Sequence, residues 1–308
     1  MNEINIIMYH YIRPATDNKY PGIKSLDLNG FKRQLDYFQE RFVIISVDQI
    51  LDSINSKSTL PKNACWLTFD DGYKDHYNYV FPELKKRKLQ GSFFPPRDVI
   101  KNSELLDVNS IHHILSKCKN ISELRVSLDK LCLESSIKSS ELKYFWDKYG
   151  VPNRWDNATT IYIKRMLQHA LPEENRNFIT QKLFQEYVGI SQKELSNELY
   201  MSVSEIRELV KEGMHVGSHG SRHYWLNKIT KENQRIDIQD SLEFLEDVGA
   251  STKDWVMCYP YGAYNSDTLS LIDSLGAKIG ITCEARKANL DLDNQLTLPR
   301  FDTNDFKQ

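Results

Sequence analysis

Short apolar runs alternate with helically spaced apolar residues along the first hundred positions. Ile4 to Met8 is an isoleucine-rich run of the kind a buried strand shows, and it ends on Tyr9-His10-Tyr11-Ile12-Arg13-Pro14. Phe31, Leu35, Phe38 and Phe42 recur at helical spacing, and Val43-Ile44-Ile45 predicts the next strand. Ser46, with Gln49 three residues on, has the form of a capping box and opens a helix through Ile50, Leu51 and Ile54. Ala64 to Phe69 predicts a further strand, Tyr77 to Lys88 a helical stretch, and Phe93-Phe94 a short buried strand closed by Pro95 and Pro96.

From about 100 to 200 the pattern changes to Leu, Lys, Ser and Glu at helical spacing, which predicts a mostly helical insertion. Alternation resumes at Ser202, where Glu205 completes a second capping box and Gly213 closes the helix. Met214 to Ser218, Trp255 to Tyr259, Ile279 to Cys283 and Leu296 to Phe301 read as strands, with helices through Ile238, Leu242 and Leu245 and from Ser266 to Leu275 between them. Roughly seven strands alternating with helices argue for an α/β fold of parallel βα units closing into a barrel. A single domain over 1–308, carrying the insertion, is the expectation.

Composition supports a packed protein and narrows its partners. The 308 residues are 40% hydrophobic and 11% aromatic, enough for a sizeable core. With 40 Lys+Arg against 42 Asp+Glu there is no global basic field for nucleic acid, so none is expected as a partner. Cys65, Cys118, Cys132, Cys258 and Cys283 are odd in number and include no Cys-x-x-Cys pair, which points to reduced thiols. The N-terminus shows no basic leader, and no stretch approaches about 20 apolar residues, so the expectation is a cytoplasmic protein without a membrane span.

Chemistry collects where predicted strands end. Leu67-Thr68-Phe69-Asp70-Asp71-Gly72 puts two carboxylates at a strand C-terminus, the place where α/β proteins hold their sites, although Asp-Asp-Gly also suits an ordinary turn. His219-Gly220-Ser221-Arg222-His223 follows another strand; on a helical turn its imidazoles, four residues apart, share a face and can reach one ion. Asp71 with His219 and His223 makes a three-ligand set that leaves a position open, as catalytic zinc sites do. Tyr259-Pro260-Tyr261-Gly262-Ala263-Tyr264-Asn265 follows a third strand; it can be a surface turn, or a stiff loop whose N–H groups face an oxyanion and whose tyrosines wall a sugar-sized groove.

Thr68-Phe69-Asp70-Asp71-Gly72, His219-x-x-x-His223 and Pro260-Tyr261-Gly262, in that order, resemble the polysaccharide deacetylase family, the NodB-homology or carbohydrate esterase 4 group. The resemblance covers about 1–100 and 200–308. It implies an irregular (β/α)7 barrel and metal-dependent removal of an N- or O-acyl group, usually acetyl, from a sugar. It further implies Asp70 as general base, Asp71, His219 and His223 as ligands of a divalent ion with Zn2+ the expected one, and the Tyr261 N–H, within Pro260-Tyr261-Gly262, as an oxyanion donor.

Two departures stand out. Many members have an arginine two residues before the Pro-Tyr pair that tethers the catalytic aspartate; this chain has Cys258 there, and Arg300 in Leu298-Pro299-Arg300-Phe301-Asp302 is the candidate replacement, or else a partner of a surface acid. The family's late histidine, commonly the general acid, has no counterpart after His223, which directs attention to His10 at the end of the first strand. His112 and His113 lie in the insertion among Ile111, Ile114 and Leu115 and are expected to pack there, with a substrate lid as the alternative. The expected activity is deacylation of an N-acylated sugar in surface-glycan or precursor metabolism. The alternatives are a non-catalytic carbohydrate-binding protein on the same fold and an amidase acting on a non-sugar amide.

Overall fold

The strand Glu3–Tyr9 is apolar on both faces, with Ile4, Ile6, Ile7 and Tyr9 fully buried, which suits the interior of a parallel sheet. A computed structural model, describing residues 2–16, 19–55, 58–153 and 156–306, shows what surrounds it. Two compact units emerge: Met1–Asn18, Ser25–Ser103 and Asn197–Gln308 form one, and Lys19–Lys24 with Glu104–Ser196 the other.

In the first unit Glu3–Tyr9 runs parallel to Ala64–Asp70, in register from Ile4 opposite Ala64 to Tyr9 opposite Phe69. Ala64–Asp70 pairs with Ser92–Phe94, and that strand pairs with His215–Val216. Ser218 then bridges Met257 in the parallel pair Val256–Cys258 and Ile279–Ile281, Ile281 bridges Leu298, and Phe301–Asp302 returns to Ile7 and Met8. The ring closes on itself as an irregular (β/α) barrel whose interior is filled by Ile4, Ile6, Trp66, Phe94, Val256, Cys258, Ile279 and Ile281. Single bridges replace full ladders on either side of the Val256–Cys258 pair, and the irregularity lies there.

Local signals set the helix starts. Ser46 with Gln49 and Ser202 with Glu205 form the expected capping boxes for Val47–Ile54 and Val203–Lys211, and Asn265 caps Ser266–Ser274. The C-terminal end differs from expectation: Gln295–Thr297 is a 3₁₀ turn, and only Phe301–Asp302 is strand, because Pro299 carries no N–H for a continuous ladder. Tyr77 to Lys88 is helical but not uniform, a π-turn His76–Val80 leading into Phe81–Arg87. Ala288–Asn289, which pairs antiparallel with Glu3 and Ile4, carried too short an apolar signal to be anticipated.

The second unit contains the helices Asp107–Lys117, Ile121–Glu134, Ser139–Tyr149, Ala158–Arg165 and Glu173–Tyr187 around a core of Ile111, Ile114, Leu124, Leu128, Met166 and Leu183. His113 is fully buried there and meets the Tyr20 ring edge-on at 4.6 Å. No helix among the described residues is long and apolar enough to cross a membrane.

Candidate active site

Side chains alternate along a strand, so Trp66, Thr68 and Asp70 share the inward face of Ala64–Asp70 and Asp70 emerges at the C-terminal mouth of the barrel. Arg300, immediately before Phe301–Asp302, meets it there. Its Nη1 and Nη2 donate to Asp70 Oδ1 and Oδ2 at 2.9 and 2.8 Å, Nη1 donates also to Thr68 Oγ1 at 3.1 Å, and Nε donates to the Thr282 carbonyl at 2.8 Å. Burial alone would raise the Asp70 carboxyl, but the Arg300 guanidinium outweighs it and holds the group below the ordinary carboxylate value. Asp70 is therefore an oriented, ionised acceptor.

Asp71 leaves the strand direction because the chain turns left-handed, with φ 71° at Asp71 and 69° at Gly72. Aspartate tolerates this region. At position 72 a Cβ would lie 2.8 Å from Pro95 Cβ, so glycine is required on two counts. The turn delivers a second buried carboxylate with a division of labour between its oxygens. Oδ2 accepts from the Tyr73 hydroxyl at 2.6 Å, while Oδ1 has no hydrogen-bond partner and faces His219 Nε2 at 3.4 Å and His223 Nε2 at 3.3 Å. Burial would raise Asp71, and the two imidazoles reverse it, holding the carboxyl well below its ordinary value.

His219 and His223 do not sit on a helical turn, contrary to the sequence expectation. Residues 219–225 are irregular, with φ 69° at Gly220 and 57° at His223, and this path brings the rings to 4.7 Å, edge to face. His219 Nδ1 lies 2.7 Å from the Cys258 carbonyl. A carbonyl only accepts, so Nδ1 carries a hydrogen and Nε2 is the atom directed at Asp71. Burial would lower His219, but Cys258 and the Asp71 and Asp70 carboxylates outweigh it and raise the ring well above its ordinary value, a proton that a cation bound at Nε2 would replace. Burial lowers His223 despite the neighbouring carboxylate, favouring the neutral ring.

Among the described residues two groups bring three metal-capable atoms within 4.8 Å of one another: Asp71, His219 and His223, and Asp70, His219 and Cys258. The second is committed elsewhere, since both Asp70 oxygens accept from Arg300 and burial pushes the Cys258 thiol up to about 11. The first presents a bare, buried carboxylate oxygen and two imidazole nitrogens. A buried oxygen left without a partner is costly, and a divalent cation satisfies it with the donor set that such ions take. The residues fit a metal.

His10 keeps the two-residue spacing of the inward-facing Ile4 and Ile6, and it is the least of the influences that lower the Asp70 and Asp71 carboxyls. Its own carbonyl is 2.7 Å from His76 Nε2, which fixes the start of the loop. Pro260, Tyr261 and Gly262 form a tight turn with φ 58° at Tyr261 and 66° at Gly262. The Tyr261 ring meets His223 at 4.6 Å and stacks on Trp225 at 4.5 Å. Tyr259 does not wall a groove: it is fully buried and its hydroxyl donates to the Leu296 carbonyl at 2.7 Å. Sequence reasoning missed Tyr73, Thr68, Trp225 and the Cys258 carbonyl. Thr68 alone carried a signal, its two-residue spacing from Asp70.

The polysaccharide deacetylase family model matches residues 57–115 and 174–280, more than half of the chain. A putative polysaccharide deacetylase of Bacillus subtilis, YxkH, is 25% identical over 99 residues, 32% of this chain and 35% of that protein, so the match spans about a third of the relative's length. Among solved structures, the Streptococcus pyogenes deacetylase PplD in complex with acetate superposes with a TM-score of 0.61 at 17% identity, covering 97% of this chain and 92% of that one. IcaB from Ammonifex degensii gives 0.57 at 18%, covering 98% and 91%. At these identities the likeness is one of fold, the NodB type. By the family model the chain belongs to the polysaccharide deacetylase family.

Proposed function

We propose that this chain is a metal-dependent deacylase that hydrolyses an N-acyl group, N-acetyl first, from a sugar of surface-glycan or glycan-precursor metabolism. The observation that carries the reading is the pairing, at one barrel mouth, of an Arg300-held carboxylate at Asp70 with the Asp71, His219 and His223 donor set. Zn2+ is the ion we assign, since one carboxylate and two imidazoles form a mixed oxygen and nitrogen set. When bound, the cation supplies Lewis-acid polarisation of the acyl carbonyl and acidifies water.

The protein's own groups do the rest. Asp70, ionised and fixed by two hydrogen bonds from Arg300, takes the proton of the attacking water. The Tyr261 N–H, set by the left-handed turn, stabilises the oxyanion that develops on the acyl carbon's oxygen. His10 gives a proton to the sugar nitrogen as the C–N bond breaks, so a neutral amine leaves and the carboxylic acid remains. Tyr73 holds Asp71 so that Oδ1 stays directed at the two imidazoles.

The test is to incubate the Zn2+-loaded protein with N-acetylglucosamine, its oligomers, N-acetylated nucleotide-linked and lipid-linked sugars, and matched O-acetyl sugars, and to follow acetate release. The reading expects release from at least one N-acetyl substrate. Sugar binding without release from any of them contradicts it and makes the chain a carbohydrate-binding protein.

A further inference from the structure

The segment carrying His219 and His223 has no regular secondary structure, yet both imidazoles are buried and must keep a fixed relation to Asp71. Two side chains bond its backbone: Ser218 Oγ accepts from the Gly220 N–H at 3.2 Å, next to His219, and an aspartate from a later helix takes the two peptide groups that follow. Asp237, on the helix Lys231–Asp247, accepts from the Ser221 N–H at Oδ2 (3.1 Å) and from the Arg222 N–H at Oδ1 (2.8 Å). Asp237 is 3% exposed, and it lies so close beneath Gly220 that a Cβ there would collide with Oδ2. Glycine at 220 is thus needed both for its φ of 69° and for the approach of this carboxylate.

Asp98 grips the same loop differently. Its N–H donates to the Ser221 carbonyl at 3.0 Å, but its carboxylate works through side chains, accepting from Ser221 Oγ at 3.0 Å and Arg222 Nε at 3.2 Å. The Arg222 side chain is more than half exposed, so that link is easily exchanged for water. The two backbone bonds to Asp237 have no such substitute.

We propose that Asp237 is a positioning residue of the metal centre. By fixing the peptide groups of residues 221 and 222, midway between the two histidines, it sets the direction from which His219 Nε2 and His223 Nε2 meet Asp71 Oδ1. It touches neither the ion nor the substrate; it acts through the loop. The proposal rests on the metal-centre reading above.

The experiment measures metal affinity rather than turnover. Asp237→Asn keeps the side chain's size but has a single acceptor oxygen, so one of the two N–H groups meets an amide NH2 instead. Gly220→Ala attacks the same contact from the loop side and leaves the carboxylate in place. Zn2+ affinity is read by competition with a chromophoric chelator, and site geometry by the visible spectrum of the Co2+-substituted protein, with melting temperature recorded alongside. Both variants are expected to bind Zn2+ about 10–100-fold more weakly and to show altered Co2+ bands. A lower melting temperature with unchanged Zn2+ affinity and Co2+ spectrum would show a merely structural aspartate and overturn the proposal. If Asp237→Asn does not fold, Gly220→Ala decides alone. Failure of the unaltered protein to bind Zn2+ overturns the underlying metal-centre reading instead.

Discussion

Arg300 and Asp70, 230 positions apart in the chain, meet in a buried ion pair of two parallel hydrogen bonds, 2.9 and 2.8 Å. The fork geometry fixes the orientation of the carboxylate as well as its charge. Removing the guanidinium strands a buried carboxylate, and Arg300→Met is expected to destabilise the fold by about 3–5 kcal/mol.

The same pair sets a pH dependence. The Asp70 carboxyl is lowered in the folded chain, so its contribution to stability is complete above the ordinary carboxylate value of 3.8 and is lost as pH falls through the lower folded value. In Arg300→Met burial loses its largest opponent, with only His219 and His10 left to offset it, and the carboxyl rises. The acid limb of the kcat/KM profile is then expected to move to higher pH than in the unaltered protein. An acid limb that stays in place, in a variant that remains folded, would mean that Asp70 is not the base.

This pair also marks where the sequence stopped being legible. Capping boxes at Ser46 and Ser202 and the period of Ala64 to Phe69 depend on neighbours within four residues, and they could be read directly. Whether Arg300 reached Asp70 or a surface acid depended on barrel closure, which no local pattern encodes. The histidine pair was read as a helical turn because i and i+4 usually share a face; left-handed residues at Gly220 and His223 do the same work in a loop, held by an aspartate on a later helix. Tyr259 looked like groove lining, but it continues the apolar strand Val256–Cys258 and is buried with it.

His10→Gln separates leaving-group protonation from the rest of the chemistry. An amine leaves poorly without a proton, whereas p-nitrophenolate leaves readily. The substitution is expected to lower kcat on an N-acetyl sugar by about 10²–10⁴-fold and to leave p-nitrophenyl acetate hydrolysis nearly unchanged. Equal losses on both substrates would assign His10 a positioning role.

Tyr73→Phe removes the hydrogen bond that occupies Asp71 Oδ2. With the carboxylate free to rotate, Zn2+ affinity is expected to fall by about 10-fold or more, measured by chelator competition. Burial holds the Tyr73 hydroxyl well above its ordinary value of 10, so the deficit should be the same at pH 6 and pH 9. A deficit confined to one pH would point to a titrating group other than Tyr73.

The central claim is that Asp70 supplies the base to a metal centre built from Asp71, His219 and His223. Its most direct test is acetate release from an N-acetylated glucosamine oligomer by four samples: the protein as loaded with Zn2+, the chelator-treated protein, the same protein reloaded, and Zn2+-loaded Asp70→Asn. The account predicts activity that vanishes on chelation and returns on reloading, with the Asp70→Asn protein binding one equivalent of Zn2+ but losing about 10²–10⁴-fold in kcat. Full turnover by the chelated protein, or by Zn2+-loaded Asp70→Asn, would contradict it.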